Sequence, residues 1–446
     1  MSKITHVVKR SHAIVPFVPD RITNAIYRAA VSVGGRDRQI AEGLSEQVIK
    51  LLEENCAPGE NPHIEEIQDL VEKVLIENGH AKVAKHYILY RDERTRRRAE
   101  SADRRSKPSG NIPWAKIWYV LNWAVEHKVN TIENINNRIA AGEFPDIVNE
   151  SESAYLIDVQ NVTEKVAERG QELKMVVITG PSSSGKTTTT IKLSMGLEQK
   201  GFKLVTLNVD NYFFDLEMHP KDEFGDYDFE TPQALDLPLI NDHLVKLIHG
   251  EEIKIPFYDF KTGQRTENVT PMKLGENEII LIDSLHGLFP DMTQAISSEQ
   301  KFFLYLEPLL QMKDRFGEFI RWTDIRLIRR MLRDASHRAY DPRETLTHWH
   351  YVRASEMRNI IPYINTADYL INTAMPYELC LYSHRLLDSF AEWSREFQDD
   401  PLREDALMRA ERVYDVLSQV TPVADDSAVP MDSVLREFIG GSIYKY

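Results

Sequence analysis

Cysteine is nearly missing from the sequence: 446 residues hold two, Cys56 and Cys380, far apart and without a C-x-x-C neighbour. A zinc ribbon is thereby excluded, and the sparse usage suits a reducing compartment. No apolar run approaches the roughly 18 residues needed to cross a bilayer. The start, Met1-Ser2-Lys3-Ile4-Thr5-His6, lacks the apolar stretch of a signal peptide. A cytoplasmic chain with no membrane partner is the expectation. Basic excess is missing too. A net charge of −15 argues against nucleic acid as a partner, because backbone-binding surfaces need positive charge. Internal repeats and long low-complexity tracts are also absent. What remains is ordinary for a globular protein, 42% hydrophobic and 28% charged. The length predicts about two or three domains with a sizeable core.

The most informative segment present is Gly180-Pro181-Ser182-Ser183-Ser184-Gly185-Lys186-Thr187, after the apolar run Met175–Thr179 and before a helix-competent run that begins with Thr188. This G-x-x-x-x-G-K-T loop sits in its required strand–loop–helix context. Its glycines let successive backbone N–H groups point at phosphate oxygens, and the helix N-terminus adds positive potential. Lys186 can reach the β- and γ-phosphates, and the Thr187 hydroxyl can ligate Mg²⁺. The loop alone leaves open whether the nucleotide is hydrolysed, acts as a switch, or donates a phosphoryl group.

Around this loop the pattern divides the chain. Residues 1–99 read as a small α-rich unit: a hairpin over Thr5–Phe17, then helices from Asp20, over Ile40–Leu52, over Glu65–Ile76 and over Ala81–Arg98. The arginine-rich end of the last helix reads as a solvated C-terminus rather than a phosphate patch. Residues 100–170 read as a helical linker region, with Trp114, Ile117, Trp118, Leu121 and Val125 forming the apolar stripe that packs inward. From 171 to 375 strands and helices alternate. Strands are expected at Met175–Thr179, Lys203–Val209, Glu278–Ile282, Phe302–Leu306 and Tyr369–Asn372, which predicts a parallel sheet covered on both faces. Residues 376–446 read as a helical extension, with Asp432 as N-cap of a last helix before Gly440-Gly441.

Two strands deliver carboxylates to the edge where open parallel sheets bind ligands. Asp210 follows Lys203–Val209 and can accept a proton from an attacking hydroxyl, or it can simply cap a turn. Asp283 follows Glu278–Ile282 and can act on Mg²⁺, or cap the next segment. Between Asp324 and Asp334, Arg326, Arg330 and Arg333 share one helical face and can supply bidentate donors to phosphate.

Taken in order, these blocks resemble the uridine kinase/phosphoribulokinase family of P-loop kinases. The resemblance runs over Gly180–Thr187, Asp210-Asn211-Tyr212-Phe213, Phe229–Asp236, Pro256–Phe260 with Arg265, Ile279–Gly287 and Asp324–Asp334. It implies an α/β fold: a P-loop kinase with a doubly wound parallel sheet, preceded by a small mostly α-helical domain and followed by a helical tail. It implies ATP and Mg²⁺ as cofactors and a hydroxyl acceptor, with Asp210 as base beside Lys186, Arg330 and Arg333 as catalytic cations, and Arg338 a third lid cation near ATP. Gly180, Ser182, Ser183, Ser184, Gly185, Lys186, Thr187 and Thr188 would hold the donor, and Thr187 and Asp283 the metal. Glu230, Tyr258, Arg265, Arg330 and His348 would line the acceptor pocket. Departures fall in that pocket. Gly263 stands where uridine kinases carry His, Glu230 where they carry Asp, Arg338-Ala339-Tyr340 replaces Arg-Gly-Arg, and His348 replaces Gln, with Trp349 beside it.

The first 99 residues resemble the ATP-cone, an allosteric nucleotide-sensing domain, through Val8-Lys9-Arg10, Val15-Pro16-Phe17, Asp20-Arg21-Ile22, Ile64–Val71 and Gly79–Arg91. The resemblance implies that Lys9, Arg10 and Arg21 hold the phosphates of a regulatory ATP or dATP. The combined expectation is a homo-oligomeric, ATP-dependent kinase of a small molecule, a pyrimidine nucleoside such as uridine. A kinase of a sugar, phosphosugar or glycerate-type acid is the first alternative, and a nucleotide-sensing regulatory protein the second.

Overall fold

The strand before the phosphate loop is buried at every residue, Met175 to Thr179, so it must lie inside a sheet with both faces covered. The computed structural model describes residues 4–8, 14–31, 33–35, 37–56, 61–89, 91, 111–219, 231–337, 341–398, 400 and 403–445. These fall into two compact units, Met1–Ser109 with Arg395–Glu404, and Gly110–Ser394 with Asp405–Tyr446.

In the first unit, β1 (His6–Val8) and β2 (Ile14–Pro16) pair antiparallel. The tip of the expected hairpin, with Lys9 and Arg10, lies outside the described residues. Helices α1 (Asp20–Val31), α2 (Arg38–Asn55), α3 (Ile64–Glu77) and α4 (residues 81–89) follow. Asp37 caps α2 by accepting from the Gln39 N–H at 2.9 Å. His63 and Glu66 make a capping box at α3. The inward residues recur at helical spacing: Ile22 and Ile26; Ala41, Leu44, Val48 and Leu52; Ile67, Val71, Val74 and Leu75. From the arginine-rich stretch, Arg91 binds Glu65, Asp69 and Glu72, each at 2.6 Å, so its charge is spent inside the unit. Arg94 to Arg98 lie outside the described residues.

The second unit opens with α5 (Trp114–Glu126), α6 (Ile132–Ala140) and α7 (Phe144–Glu168). There follow β3 (Met175–Thr179), α8 (Lys186–Gln199), β4 (Lys203–Thr206), α9 (Leu237–Ile248), the hairpin β5 (Ile253–Asp259) and β6 (Gln264–Met272), β7 (Glu278–Ser284), β8 (Lys301–Glu307), α10 (Trp322–His337), α11 (Pro342–Asn359), β9 (Tyr369–Asn372), α12 (Glu378–Glu396), α13 (Glu404–Gln419) and α14 (Arg436–Ile439). Five strands form one parallel sheet in the order β4-β7-β3-β8-β9. The chain leaves β3 toward β4 on one side and later returns past it to β8 on the other. The direction of winding therefore reverses at β3, which is where doubly wound sheets open a crevice at their carboxyl ends. Registers Ile178↔Asp283, Thr179↔Ser284 and Thr179↔Tyr305 align those ends.

Three sequence expectations need correction. β4 stops at Thr206 rather than Val209, because the Asn208 side chain accepts the Asp210 N–H at 3.1 Å and turns the chain into a short 3₁₀ segment. The apolar stripe of α5 faces outward: Trp114 is 54% and Trp118 69% exposed, while Val120 and Ala124 are buried. The inward face is set by Lys116, whose ion pair with Asp158 at 2.5 Å ties α5 to α7 and, through the Tyr369 hydroxyl at 3.0 Å, to β9. Finally, Asp432 caps no helix. It pairs with Lys192 of α8, and α14 starts four residues later.

Candidate active site

The phosphate loop joins β3 to α8 under steric pressure. A Cβ at Gly180 would stand 2.4 Å from the Leu306 carbonyl oxygen, and Gly185, at φ 87°, opens α8 in the left-handed region. Neighbouring elements hold the loop from outside. The Thr373 hydroxyl donates to the Ser184 carbonyl at 2.7 Å, and Arg326 donates to the Ser182 carbonyl at 3.2 Å. Ser182, Ser183 and Ser184 are buried, Thr188 is buried, and Thr187 is exposed at the first turn of α8. The Lys186 ammonium folds onto the Gly180 and Pro181 carbonyls at 2.9 and 3.3 Å. Burial lowers its pKa, against the opposing pull of Asp283 and Glu437.

The carboxylates arrive from the two strands on one side of the loop. Asp283 ends β7, directly beside β3, and burial raises its carboxyl to about 6, with Lys186 opposing and Glu437 and Asp210 adding to the rise. Asp210 follows β4, next to β7, on the short 3₁₀ segment. The residue is exposed at the surface. The crevice walls still raise its carboxyl, and Lys186 pulls the other way.

Helix α10 presents its arginines in two layers. Arg326 and Arg329 are fully buried. Arg326 meets Glu356 in bidentate fashion at 2.5 and 2.8 Å and Glu307 at 2.9 Å. Arg329 does the same with Glu378 at 2.8 and 3.0 Å and donates to the Thr373 carbonyl at 2.7 Å. Arg330 and Arg333 are half-buried beside Asp334, and Arg330 also reaches the Ser182 hydroxyl at 3.4 Å. Arg326, Arg330 and Arg333 follow one another along α10 as the spacing predicts, but the charge of Arg326 is spent on Glu307 and Glu356, and its hold on the loop is the bond to the Ser182 carbonyl.

The expected acceptor pocket is only partly assembled. Tyr258 is buried, its hydroxyl without a hydrogen-bond partner among the described residues, its ring 5.5 Å from Phe213 and 5.0 Å from Phe260. Arg265 pairs with Asp236 at 3.1 Å and Glu267 at 2.6 Å, which ties β6 to the start of α9. His348 stands on the exposed face of α11 against the Glu344 carbonyl, while its neighbour Trp349 turns inward over the Arg326 guanidinium. Glu230, Arg338 and Tyr340 lie outside the described residues, and Arg21 is exposed at the first turn of α1.

Two residues escaped the sequence reading. Glu437 comes from the C-terminal segment and accepts from the Thr188 hydroxyl at 3.1 Å. No local motif announces it. His286 stands three residues after Asp283, 5% exposed, with neither ring nitrogen hydrogen-bonded among the described residues. The Asp283-Ser284-Leu285-His286 run was a signal that could have been read. Burial, reinforced by the charge of Lys186, pushes the His286 imidazole down to about 4. Its folded pKa lies below the unfolded value, so its contribution to stability is complete above pH 6.5. That contribution is lost as pH falls toward 4, where only the unfolded chain takes up the proton. The loss reaches roughly 3 kcal/mol. His286→Asn is expected to flatten that limb in urea unfolding measured across this range; a limb as steep as that of the wild type would contradict the assignment.

Residues 175–378 match the family model described as Phosphoribulokinase / Uridine kinase family. Over that stretch the chain is similar to that family. Residues 5–96 match the ATP cone domain. The two matches lie side by side in one chain, the ATP cone first and the kinase-family match after it. It is 27% identical over 164 residues to uridine-cytidine kinase B of Dictyostelium discoideum, covering 37% of this chain and 59% of that one. It is 26% identical over 198 residues to a uridine kinase of Deinococcus deserti, covering 44% and 86%. Over 102 residues it is 42% identical to a vitamin B12-dependent ribonucleoside-diphosphate reductase of Thermoplasma acidophilum, covering 22% of this chain and 13% of that one. No helix among the described residues is long and apolar enough to cross a membrane.

Proposed function

We propose that this chain transfers the γ-phosphoryl group of ATP to a hydroxyl of a small molecule, a pyrimidine nucleoside such as uridine, and that its ATP cone senses a regulatory nucleotide. The observation that carries the reading is the sheet order β4-β7-β3, which sets Asp210, Asp283 and the phosphate loop on adjacent strand ends. In this reading the loop N–H groups and Lys186 cradle the donor phosphates. Asp210 takes the proton from the acceptor hydroxyl, and burial, which raises its pKa, makes it a stronger base than an exposed carboxylate. Arg330 and Arg333 neutralise charge as the phosphoryl group moves in line. Tyr258 offers its hydroxyl to the acceptor.

The donor set also fits magnesium. Among the described residues no group of three or more His, Cys, Asp or Glu forms a metal cage. Magnesium typically needs one or two protein oxygens besides substrate phosphates. Thr187 and Asp283 would hold it, and when bound it would offset the charge of the phosphates.

One observation favours the alternative acceptors. Gly263, at the hairpin tip, has φ 69°, and a Cβ there would stand 2.8 Å from the Leu216 Cβ. No side chain can reach a base from that position, so a sugar, phosphosugar or glycerate-type acid is the second reading. Coupled ADP release across nucleosides, sugars and phosphosugars separates them. A pyrimidine nucleoside is expected to give the highest kcat/KM, and a higher value for any sugar or acid would replace it.

A further inference from the structure

The C-terminal segment closes over the first turn of α8. Ser433, Val434, Leu435 and Phe438 are buried, and a Cβ on Gly185 would stand 2.6 Å from the Val434 methyl. Phe438 lies under the Arg329 guanidinium, 5.0 Å from it, and Asp432 pairs with Lys192. This packing delivers Glu437, itself 4% exposed, to the phosphate-loop helix. Its carboxylate accepts from the Thr188 N–H at 3.4 Å and from the Thr188 hydroxyl at 3.1 Å. Its charge also acts on Lys186 and Asp283.

A backbone N–H in the first turn of a phosphate-loop helix is a donor that nucleotide phosphates use. Two anions cannot share it. The repulsion between a carboxylate and a phosphate a few ångströms apart is strong where solvent is largely excluded. We propose that Glu437 is a donor-site residue that sets nucleotide affinity: its carboxylate occupies the phosphate donors of Thr188 and swings off them when the nucleotide binds. The inference rests on the reading of the loop as the ATP site. It does not require the tail to detach, because rotation about the Glu437 side-chain torsions frees Thr188 while Val434 and Phe438 stay packed.

The test is Mg·ATP binding by calorimetry to the full chain and to Glu437→Gln. Glutamine keeps the shape and the hydrogen-bond acceptor but removes the charge. A residue that only caps the helix would leave affinity unchanged. The competitor assigned here predicts about tenfold tighter binding, with Glu437→Asp in between because its shorter carboxylate retracts from Thr188. Thermal unfolding of each variant confirms that it is folded. Unchanged or weaker binding by a folded Glu437→Gln overturns the inference and leaves the ATP site standing. Absence of binding in the wild type and both variants overturns the inference and the ATP-site reading together.

Discussion

Asp210→Asn is expected to lower kcat by at least ~10², the usual scale for removing a general base, with little change in KM for ATP. Asparagine keeps the size and the hydrogen-bonding reach, so the Asn208-capped turn survives. What disappears is the acceptor of the substrate proton. Because Asp210 stands two strands from the loop in the order β4-β7-β3, it does not belong to the donor cradle. A loss confined to kcat would therefore mark an interaction made in the transition state. Initial rates over a matrix of ATP and acceptor concentrations provide the check. An unchanged kcat would remove Asp210 from the chemistry and leave the crevice without an assigned base.

The second large effect concerns stability. Arg329→Met is expected to destabilise the second unit by about 3–5 kcal/mol, because it leaves the Glu378 carboxylate buried without its cation. Glu378 also accepts from the Tyr382 hydroxyl at 2.8 Å and the Met375 N–H at 3.0 Å, so it is locked in place and cannot reach water. Adding Glu378→Gln to Arg329→Met should recover most of the loss. Arg330→Met, on the half-buried layer of the same helix, should cost under about 1 kcal/mol of stability while impairing phosphoryl transfer. Urea unfolding of the three variants beside the wild type reads the contrast. If Arg330→Met proved as destabilising as Arg329→Met, the division of α10 into a structural and a reactive layer would be wrong.

That division also shows what could be read from the sequence. The phosphate loop was legible because its parts are contiguous, with apolar β3, the glycines and the start of α8 within 15 residues. β9 was legible for the same reason, as a short apolar run between turns. The arginine face of α10 followed from helical spacing. Which arginines are spent internally did not follow, because their partners Glu307, Glu356 and Glu378 lie on other elements. The stripe of α5 was misread because both faces of that helix carry apolar residues, and only the long-range pair of Lys116 with Asp158 decides between them. Glu437 was invisible for the strongest version of this reason. It meets Thr188 across 249 residues, and nothing in its own surroundings resembles a nucleotide site. In the acceptor pocket, Arg265 and His348 were assigned by the family resemblance, and the partners they have in the fold, Asp236 and Glu267 for Arg265 and the Glu344 carbonyl for His348, could not be read from the sequence.

The central claim is transfer to an acceptor rather than hydrolysis or switching. The stoichiometry of ADP and phosphate ester, followed together by ³¹P NMR with ATP, Mg²⁺ and the best acceptor, tests it most directly. The account predicts one ester formed per ADP, negligible inorganic phosphate, and loss of both products in Asp210→Asn. ADP accompanied by inorganic phosphate, with no ester from any hydroxyl compound, would contradict it.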